Sequence, residues 1–550
     1  MRVSEFAGID AIAADYYRRG GSPGLAFGLI RGGELVHAGG LGEIAVGTGV
    51  APDRDTVFRI ASMTKSFTAA AVLLLRDEGL LALDDPAETY VPELRSSGIS
   101  LRHLLTMTAG FPTDDPWGDR QQGLPLDEFG KFLANGVSVA RLPGISFEYA
   151  NLGYAILGRI LTKVTQTPYP DLIRDRLLLP LGMTRSGFEV PEDTGNLALG
   201  YRRAPHGWEE LPFDPCGAFA PMGGVFTCVR DLARWVAGLA AAFSPEPGEH
   251  PLSPAARREM QLAQVPTGWD RPALFPADGV VTAYGFGLSI TDEPVLGRVT
   301  GHGGGYPGFG SYMRWHPATG TGVIAFANST YARMQPLTAK IMHAVVDRHV
   351  YAEQPWPETA VAREQVNDLL LSWDDGKADR LFTSNVGLDI PFAERRQAIA
   401  LIRERIGDFR SDARAPESGS PAHSRWWLTG QNGTVQVQIL LTPERPPRVQ
   451  SLVLAVPPAA GSPLDTALTA IVAWMNGQGP APLLDATVQR RLKAAAAWAG
   501  QCTRGATTTG DGSTTATVDL AGEHASLALS VSVDPVTARL RQADITWQPA

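Results

Sequence analysis

Ser62 and Lys65, in Phe58-Arg59-Ile60-Ala61-Ser62-Met63-Thr64-Lys65-Ser66-Phe67, have the types and spacing that suit covalent catalysis. The apolar series from Phe67 to Leu75 predicts a helix over Thr64–Glu78. A helix that begins near Ser62 puts positions i and i+3 on one face, so hydroxyl and amine can meet. A free serine holds little alkoxide at neutral pH and needs a base beside it. An amine serves as that base only where burial and neighbouring charge depress its pKa. The N-terminal helix dipole favours negative charge at Ser62. Lysine is scarce here: Lys65, Lys131, Lys163, Lys340, Lys377 and Lys493 stand among 48 basic residues. The alternative for the pair is an ordinary capped helix with a surface lysine.

Two further stretches carry chemistry. Tyr149-Ala150-Asn151 offers a phenol and an amide. A phenol beside a cationic amine titrates lower than usual and can relay protons to a leaving group. The Asn151 amide could orient the lysine, bind a substrate carbonyl, or cap the helix expected to start near Leu152. Gly301-His302-Gly303-Gly304-Gly305-Tyr306-Pro307-Gly308 leads into a strand, where glycines let a substrate approach the edge closely. Backbone N–H groups of Gly305 and Ser62 could form an oxyanion hole. His302 could bind a substrate carboxylate when protonated or pass a proton when neutral. The G-x-G-x-x-G in this stretch is not read as a dinucleotide site, because a strand follows it and not a helix.

With these three elements in order, the chain resembles the penicillin-recognising serine hydrolases. Ser62 and Lys65 fall on that family's S-x-x-K, Tyr149 and Asn151 on its Y-x-N, and His302, Gly303 and Gly304 on its K-T-G. Leu101–Gly110, Pro221–Phe226 and Tyr284–Gly287 add softer agreement, and the resemblance spans about residues 5 to 350. It implies an acyl-enzyme on Ser62, proton handling by Lys65 and Tyr149, and substrate binding by Asn151, His302, Gly303 and Gly304. No metal or organic cofactor is implied. The departure from the pattern is His302 for lysine and Gly303 for threonine. His-x-Gly resembles D-specific peptidases and acyl-transferring relatives more than β-lactamases. The expected substrate is a D-amino-acid-containing peptide or a small ester. The alternatives are an acyltransferase or cyclase using the same acyl-enzyme, and a slowly acylating sensor or partner-docking protein.

The elements that must hold these residues read as a mixed α/β catalytic domain over 1–352. Leu25–Ile30 and Glu34–Ala38 form one hairpin, and Gly310–His316 and Gly322–Ala327 form another. A helix follows over Met334–His349, and Tyr154–Val164 is helical. The simplest arrangement is an antiparallel sheet made from both ends of the domain, with a helical block inserted. Residues 353–360 read as a linker, followed by two small α+β domains at 361–456 and 457–550. The helical stripe Val366, Leu369, Leu370, Trp373 is matched by Ala467, Ala470, Ile471, Trp474, and Leu381-Phe382 by Leu483-Leu484. Alternating Val435, Val437, Ile439 and Leu441 match Leu527, Leu529, Val531 and Val533, which suggests a duplication. The placement resembles the two extra domains of D-aminopeptidases, with a content nearer cystatin-like rolls than barrels.

A net charge of −9 without a basic stretch argues against nucleic acid or an anionic membrane as partner. It leaves a small-molecule or peptide substrate, and the oligomeric state is not encoded in any motif. Three cysteines without C-x-x-C spacing suit free thiols in a reducing compartment. The amphipathic N-terminus (Phe6, Ile9, Ile12, Ala13, Tyr16) shows neither a secretory signal nor a transmembrane span, so the expected location is the cytoplasm.

Overall fold

The strand Gly24–Arg31 is buried along nearly its whole length, and its alternation sorts residues to two layers. Leu25, Phe27 and Leu29 join Ile9, Ala13, Leu337 and Ile341 on one face. Ala26 and Ile30 join the large cluster containing Phe67, Val229 and Trp235 on the other. Gly28 belongs to the second face, where a Cβ would lie 2.5 Å from Val229 Cγ1. The computed structural model describes residues 3–95, 98–191, 194–267, 281–293, 296–346, 355–523 and 526–547. Those up to 346 form one compact unit and those from 355 onward a second.

In the first unit an eight-stranded sheet runs Glu34–Gly42, Gly24–Arg31, Thr321–Ala327, Phe309–His316, Gly297–Tyr306, Ser289–Glu293, Val281–Tyr284, Val265–Pro266. Every neighbouring pair is antiparallel. The sheet is thus built from both ends of the unit, as the hairpin signals predict. Helices Val3–Arg18 and Gln335–Val345 cover one face. Residues 347–349 of the expected last helix lie outside the described residues. The other face carries the helical block, with Thr64–Asp77 at its centre and Asn151–Thr165 and Val229–Ala240 against it. From Thr64 to Leu73 the Thr64–Asp77 helix is buried on all sides, as expected of a central helix. Phe67 stacks on Trp235 at 4.2 Å, and the Trp235 indole donates to Ser66 Oγ at 3.0 Å.

One sequence expectation shifts in detail. The glycine stretch does not merely precede a strand; Gly297–Tyr306 is itself an interior strand. It pairs with Phe309–His316 out to Tyr306, but with Ser289–Glu293 only as far as Gly301. From His302 to Tyr306 its second edge therefore lies beyond the end of the neighbouring strand.

The second unit contains two helix-plus-sheet modules. Each ends in a four-stranded antiparallel sheet whose strands follow chain order. Val435, Val437, Ile439 and Leu441 point into one core, and Leu527, Leu529, Val531 and Val533 into the other. Both sheets break register at the corresponding step, between Leu440 and Leu441 and between Ser532 and Val533. The helical stripe of the second module is rotated from the expected one. Leu464, Leu468, Ile471, Val472 and Met475 are buried while Ala470 is exposed. Larger side chains on the adjacent rows gain more from burial and set the face. Leu483 stands 92% exposed, unlike its expected counterpart Leu381, which packs against the first core. The helix Pro357–Leu371 begins inside the stretch read as linker. Its proline occupies the first turn, where the missing N–H costs no helical bond. All three cysteines are free.

Ile439 is fully buried in the first small module. Ile439→Ala is expected to destabilise the second unit by about 2–5 kcal/mol. Calorimetry should show its transition moving down while that of the first unit stays in place.

Candidate active site

The turn before the central helix is strained and clamped. Ala61 has φ 49°, a left-handed conformation that costs a non-glycine residue about 1–2 kcal/mol. Three contacts over-determine it. Ser311 Oγ donates to the Ile60 carbonyl at 2.8 Å, and the Ile60 N–H donates to Val225 O at 3.0 Å. Gly304 presses on the turn from the strand: a Cβ there would lie 2.1 Å from Ile60 O and 3.1 Å from Ala61 Cβ. Ser62 follows in a single 3-10 turn, Ala61–Met63, and is 8% exposed. N–H groups in such a first turn lack intrahelical acceptors and are free to bind an anion.

Lys65 is completely buried, and its Nζ donates to Ser62 Oγ at 2.8 Å and to the Met222 carbonyl at 2.9 Å. The amine lies 5.0 Å from the centre of the Tyr149 ring and 5.8 Å from that of Tyr154. Burial brings its pKa down to about 8, against the pull of Asp115, Asp119 and Asp114, which favour the ammonium. The expected bond from Asn151 to the lysine is not the one that forms. Met222 O takes that place, because the Ala220–Gly223 turn packs against the start of the Thr64–Asp77 helix.

The Ser62 hydroxyl acts on the Tyr149 phenol, and the Lys65 amine that holds Ser62 lies 5.0 Å from the Tyr149 ring centre, so phenol, hydroxyl and amine share one cluster. The protonation of Tyr149 differs from the sequence expectation. Desolvation, reinforced by Asp115, raises the phenol well above its ordinary value, outweighing the lowering influence of Ser62. The Tyr149 phenol is therefore neutral. Asn151 is fully buried at the first position of its helix. Its Nδ2 donates to Asp115 Oδ1 at 2.9 Å, and its Oδ1 is buried without a partner. Nor is Asn151 the cap. The Asp114 carboxylate accepts the N–H groups of Asn151 at 2.6 Å and Leu152 at 2.9 Å.

His302 is 4% exposed, with Nδ1 2.6 Å from Gly303 O and Nε2 3.0 Å from Tyr284 Oη. A carbonyl only accepts, so Nδ1 carries the proton and the Tyr284 hydroxyl donates to Nε2. Burial, aided by the Lys65 charge, depresses this imidazole to about 3. The protonated carboxylate binder considered from sequence is thus replaced by a neutral ring with both nitrogens engaged. A Cβ at Gly303 would touch the Tyr312 ring at 3.1 Å, and one at Gly305 would lie 2.8 Å from the Tyr331 ring.

Residues 9–346 match the family model described as Beta-lactamase. The chain belongs to the β-lactamase family. Among relatives, the D-alanyl-D-alanine-carboxypeptidase/endopeptidase AmpH of Escherichia coli (strain K12) is 26% identical over 362 residues, covering 62% of this chain and 90% of AmpH. A penicillin-binding protein of Bacillus subtilis (strain 168) is 25% identical over 277 residues, 47% of this chain and 58% of that protein. The chain thus spans little more than half the length of that relative. A class C β-lactamase structure aligns over 62% of this chain and 97% of its own, with TM-score 0.52 and 21% identity. The octameric penicillin-binding protein homologue from Pyrococcus abyssi aligns over 98% of both chains, with TM-score 0.53 and 20% identity. These structural likenesses establish the β-lactamase/transpeptidase-like fold.

Within this β-lactamase-family site, sequence reasoning missed Asp114, Asp115, Asp119, Gln122, Met222 and Tyr331. Asp114, Asp115, Asp119 and Gln122 lie in Thr113–Arg141, a stretch that stands out in the sequence only by position and charge; Met222 and Tyr331 come from distant segments. Asp119 is 3% exposed, accepts from Tyr331 Oη at 2.9 Å, and titrates near 6 because burial opposes its charge more than Tyr331 and Lys65 favour it. The usable signal was three aspartates within six positions beside a predicted buried lysine. Among the described residues no helix is long and apolar enough to cross a membrane.

Two outcomes follow from this geometry. Lys65 must lose its proton to act as base, so acylation of Ser62 should rise with pH through about 8. Tyr149, raised well above the usual phenol value, adds no limb in that range. Stopped-flow acylation by an activated ester between pH 6 and 10 measures this profile. Gly304→Ala should force the nucleophile turn away from the strand and destabilise the first unit by about 1–3 kcal/mol. Its thermal transition reads this directly.

Proposed function

We propose that this protein is a serine hydrolase that forms an acyl-enzyme on Ser62 and cleaves amide or ester bonds, in D-amino-acid-containing peptides or small esters. The observation that carries the reading is the 2.8 Å bond between a buried amine depressed to about 8 and the Ser62 hydroxyl. Neutral Lys65 takes the Ser62 proton as Oγ attacks the carbonyl carbon. Tyr149, neutral and beside Ser62, passes a proton to the leaving amine or alcohol. The oxyanion is held by the N–H groups of Ser62 and Gly305. Support for that pairing is the contact of Gly304 with Ile60 and Ala61. The substrate chain lies along the edge of Gly303–Gly305, beyond the end of the neighbouring strand. Water then attacks the acyl carbon, with Lys65 and Tyr149 reversing their roles. A neutral His302 supplies no cation for a substrate carboxylate, which favours this reading over β-lactam breakdown.

Intact-mass spectrometry after mixing with a panel of D- and L-amino-acid amides and short-chain p-nitrophenyl esters tests this. An acyl adduct at Ser62 that decays with product release is expected. Ser62→Ala should lower turnover about 10³-fold or more. An adduct that persists without turnover would make the protein a slow acylator, and release only on adding an amine would make it an acyltransferase.

A further inference from the structure

The outer face of the last sheet differs from its counterpart in the first small module. The inward rows Val435–Leu441 and Leu527–Val533 correspond, so the outward positions between them can be compared strand by strand. On the middle strand, Gln438 and Leu440 of the first module face the shorter Ser530 and Ser532 of the second. The partners across the sheet change with them. Arg425 and Val453 flank Gln438, and His423 and Ser451 flank Leu440. In the second module Thr517 and Asp544 flank Ser530, and Thr515 and Gln542 flank Ser532. Opposed residues on one face keep their Cβ atoms about 4.5–5.5 Å apart, so these six form two adjoining polar rows.

The short side chains leave a trough of about 200 Å³ over the sheet, bounded by both rows together with Thr509 and Gly510. A single water needs only roughly 10–15 Å³. The strand Thr503–Thr509 breaks register with its neighbour twice, between Arg504 and Thr507 and between Thr507 and Thr509. Such bulges bend a strand and re-aim its side chains. The Gly510 carbonyl accepts the Val456 N–H at 3.0 Å, which anchors this wall to the first module. The lining narrows the ligand. Hydroxyls and the Gln542 amide both donate and accept. The one carboxylate, Asp544, is matched, because it pairs with Arg491 at 2.9 Å and accepts the Ile545 N–H at 2.9 Å. Among the described residues no Lys, Arg or His lines the trough to hold an anion. Ala516 and Val531 turn their side chains into the core, so an apolar chain meets no apolar surface here. A peptide backbone is matched by a strand edge, and this is a sheet face. A neutral molecule with many hydroxyls is what such a lining complements.

We propose that this trough is a binding site for a neutral sugar, whose ring hydroxyls bond the two polar rows on the outer face of the second small module. It is lined by residues of the second unit alone and does not depend on the acylation of Ser62. Each hydrogen bond is exchanged against one to water and contributes little net, and no aromatic ring lines the trough among the described residues. Binding is therefore weak, in the millimolar range, and selective for hydroxyl-bearing rings over peptides and anions.

Saturation-transfer NMR on the full chain tests this, with glucose, galactose, mannose, N-acetylglucosamine and their disaccharides as probes at millimolar concentration. A blocked trialanine peptide and lactate serve as the peptide and anion comparisons. Saturation of sugar protons is expected, with none for the peptide or lactate. Ser532→Leu, which gives the middle strand the first module's residue, is expected to lower sugar affinity at least tenfold. Equal affinity for a monosaccharide and its disaccharide would mark a site for free sugar, and tighter disaccharide binding a site for a glycan chain. Should Ser532→Leu not fold, a diazirine-bearing form of the sugar is cross-linked to the unaltered protein and mapped by mass spectrometry. Cross-links at 509–517, 530–532 and 542–544 are expected. Failure of every sugar to saturate, affinity unchanged by Ser532→Leu, cross-links confined to other segments, or equal binding of the peptide or lactate would each overturn the proposal.

Discussion

Lys65 lies under the Tyr149 and Tyr154 rings, and its amine finds two acceptors, Ser62 Oγ and Met222 O. Exclusion of water from this one amine sets the chemistry of the site. Full burial alone can push a lysine several units down. Asp115, Asp119 and Asp114 oppose that fall and leave the group near 8, where a proton can be both taken and returned. The arrangement has an energetic cost. The folded pKa lies below the value of 10.5 for an unperturbed lysine, so between about 8 and 10.5 the unfolded chain binds more protons. Stability therefore rises with pH across that window, and the cost of the buried ammonium is carried in full below it.

The same amine dictates the mechanics around it. In the proposed mechanism a base that cannot move requires a nucleophile that cannot move, and the turn at Ala61 is held in a costly backbone conformation that keeps Ser62 in place. The restraint comes from the sheet. Ser311 bonds Ile60, and Gly304, with no side chain, lets the strand touch the turn. The glycines of Gly301–Gly305 thus serve close packing, beside the substrate access proposed for them. Asp114 and Asp115 tie the loop before Trp117 to the start of the Asn151–Thr165 helix. Tyr149, two residues earlier, is fixed with them.

Where a function depended on spacing along the chain, the residues announced it. Ser62 and Lys65 meet because three positions on a helix share a face, and the apolar run after them is long enough to demand a helix. The two hairpins, with Arg31–Gly33 and Pro317–Gly320 between alternating apolar residues, placed the sheet at the ends of the domain. The alternation in Val435–Leu441 and Leu527–Val533 marked the inward faces of both small sheets. The helical stripe of the second small module was less legible, because alanines on one row competed with Leu464, Leu468 and Met475 on another. Packing favours the larger side chains.

The sequence by itself determined which groups are near one another when few residues separate them. Helical and extended geometry are short-range properties of the backbone, and they do not depend on what packs outside. Protonation states were decided only by the tertiary structure. Tyr149 beside a lysine looked like an acidified phenol, and His302 was open to either a protonated or a neutral role. Burial reversed the first and decided the second, because desolvation and charge interactions sum over every segment brought to the site. Asp114 reaches the Asn151 N–H across 37 residues, and Tyr331 reaches Asp119 across 212. No local pattern records those distances, and they complete the site around Lys65.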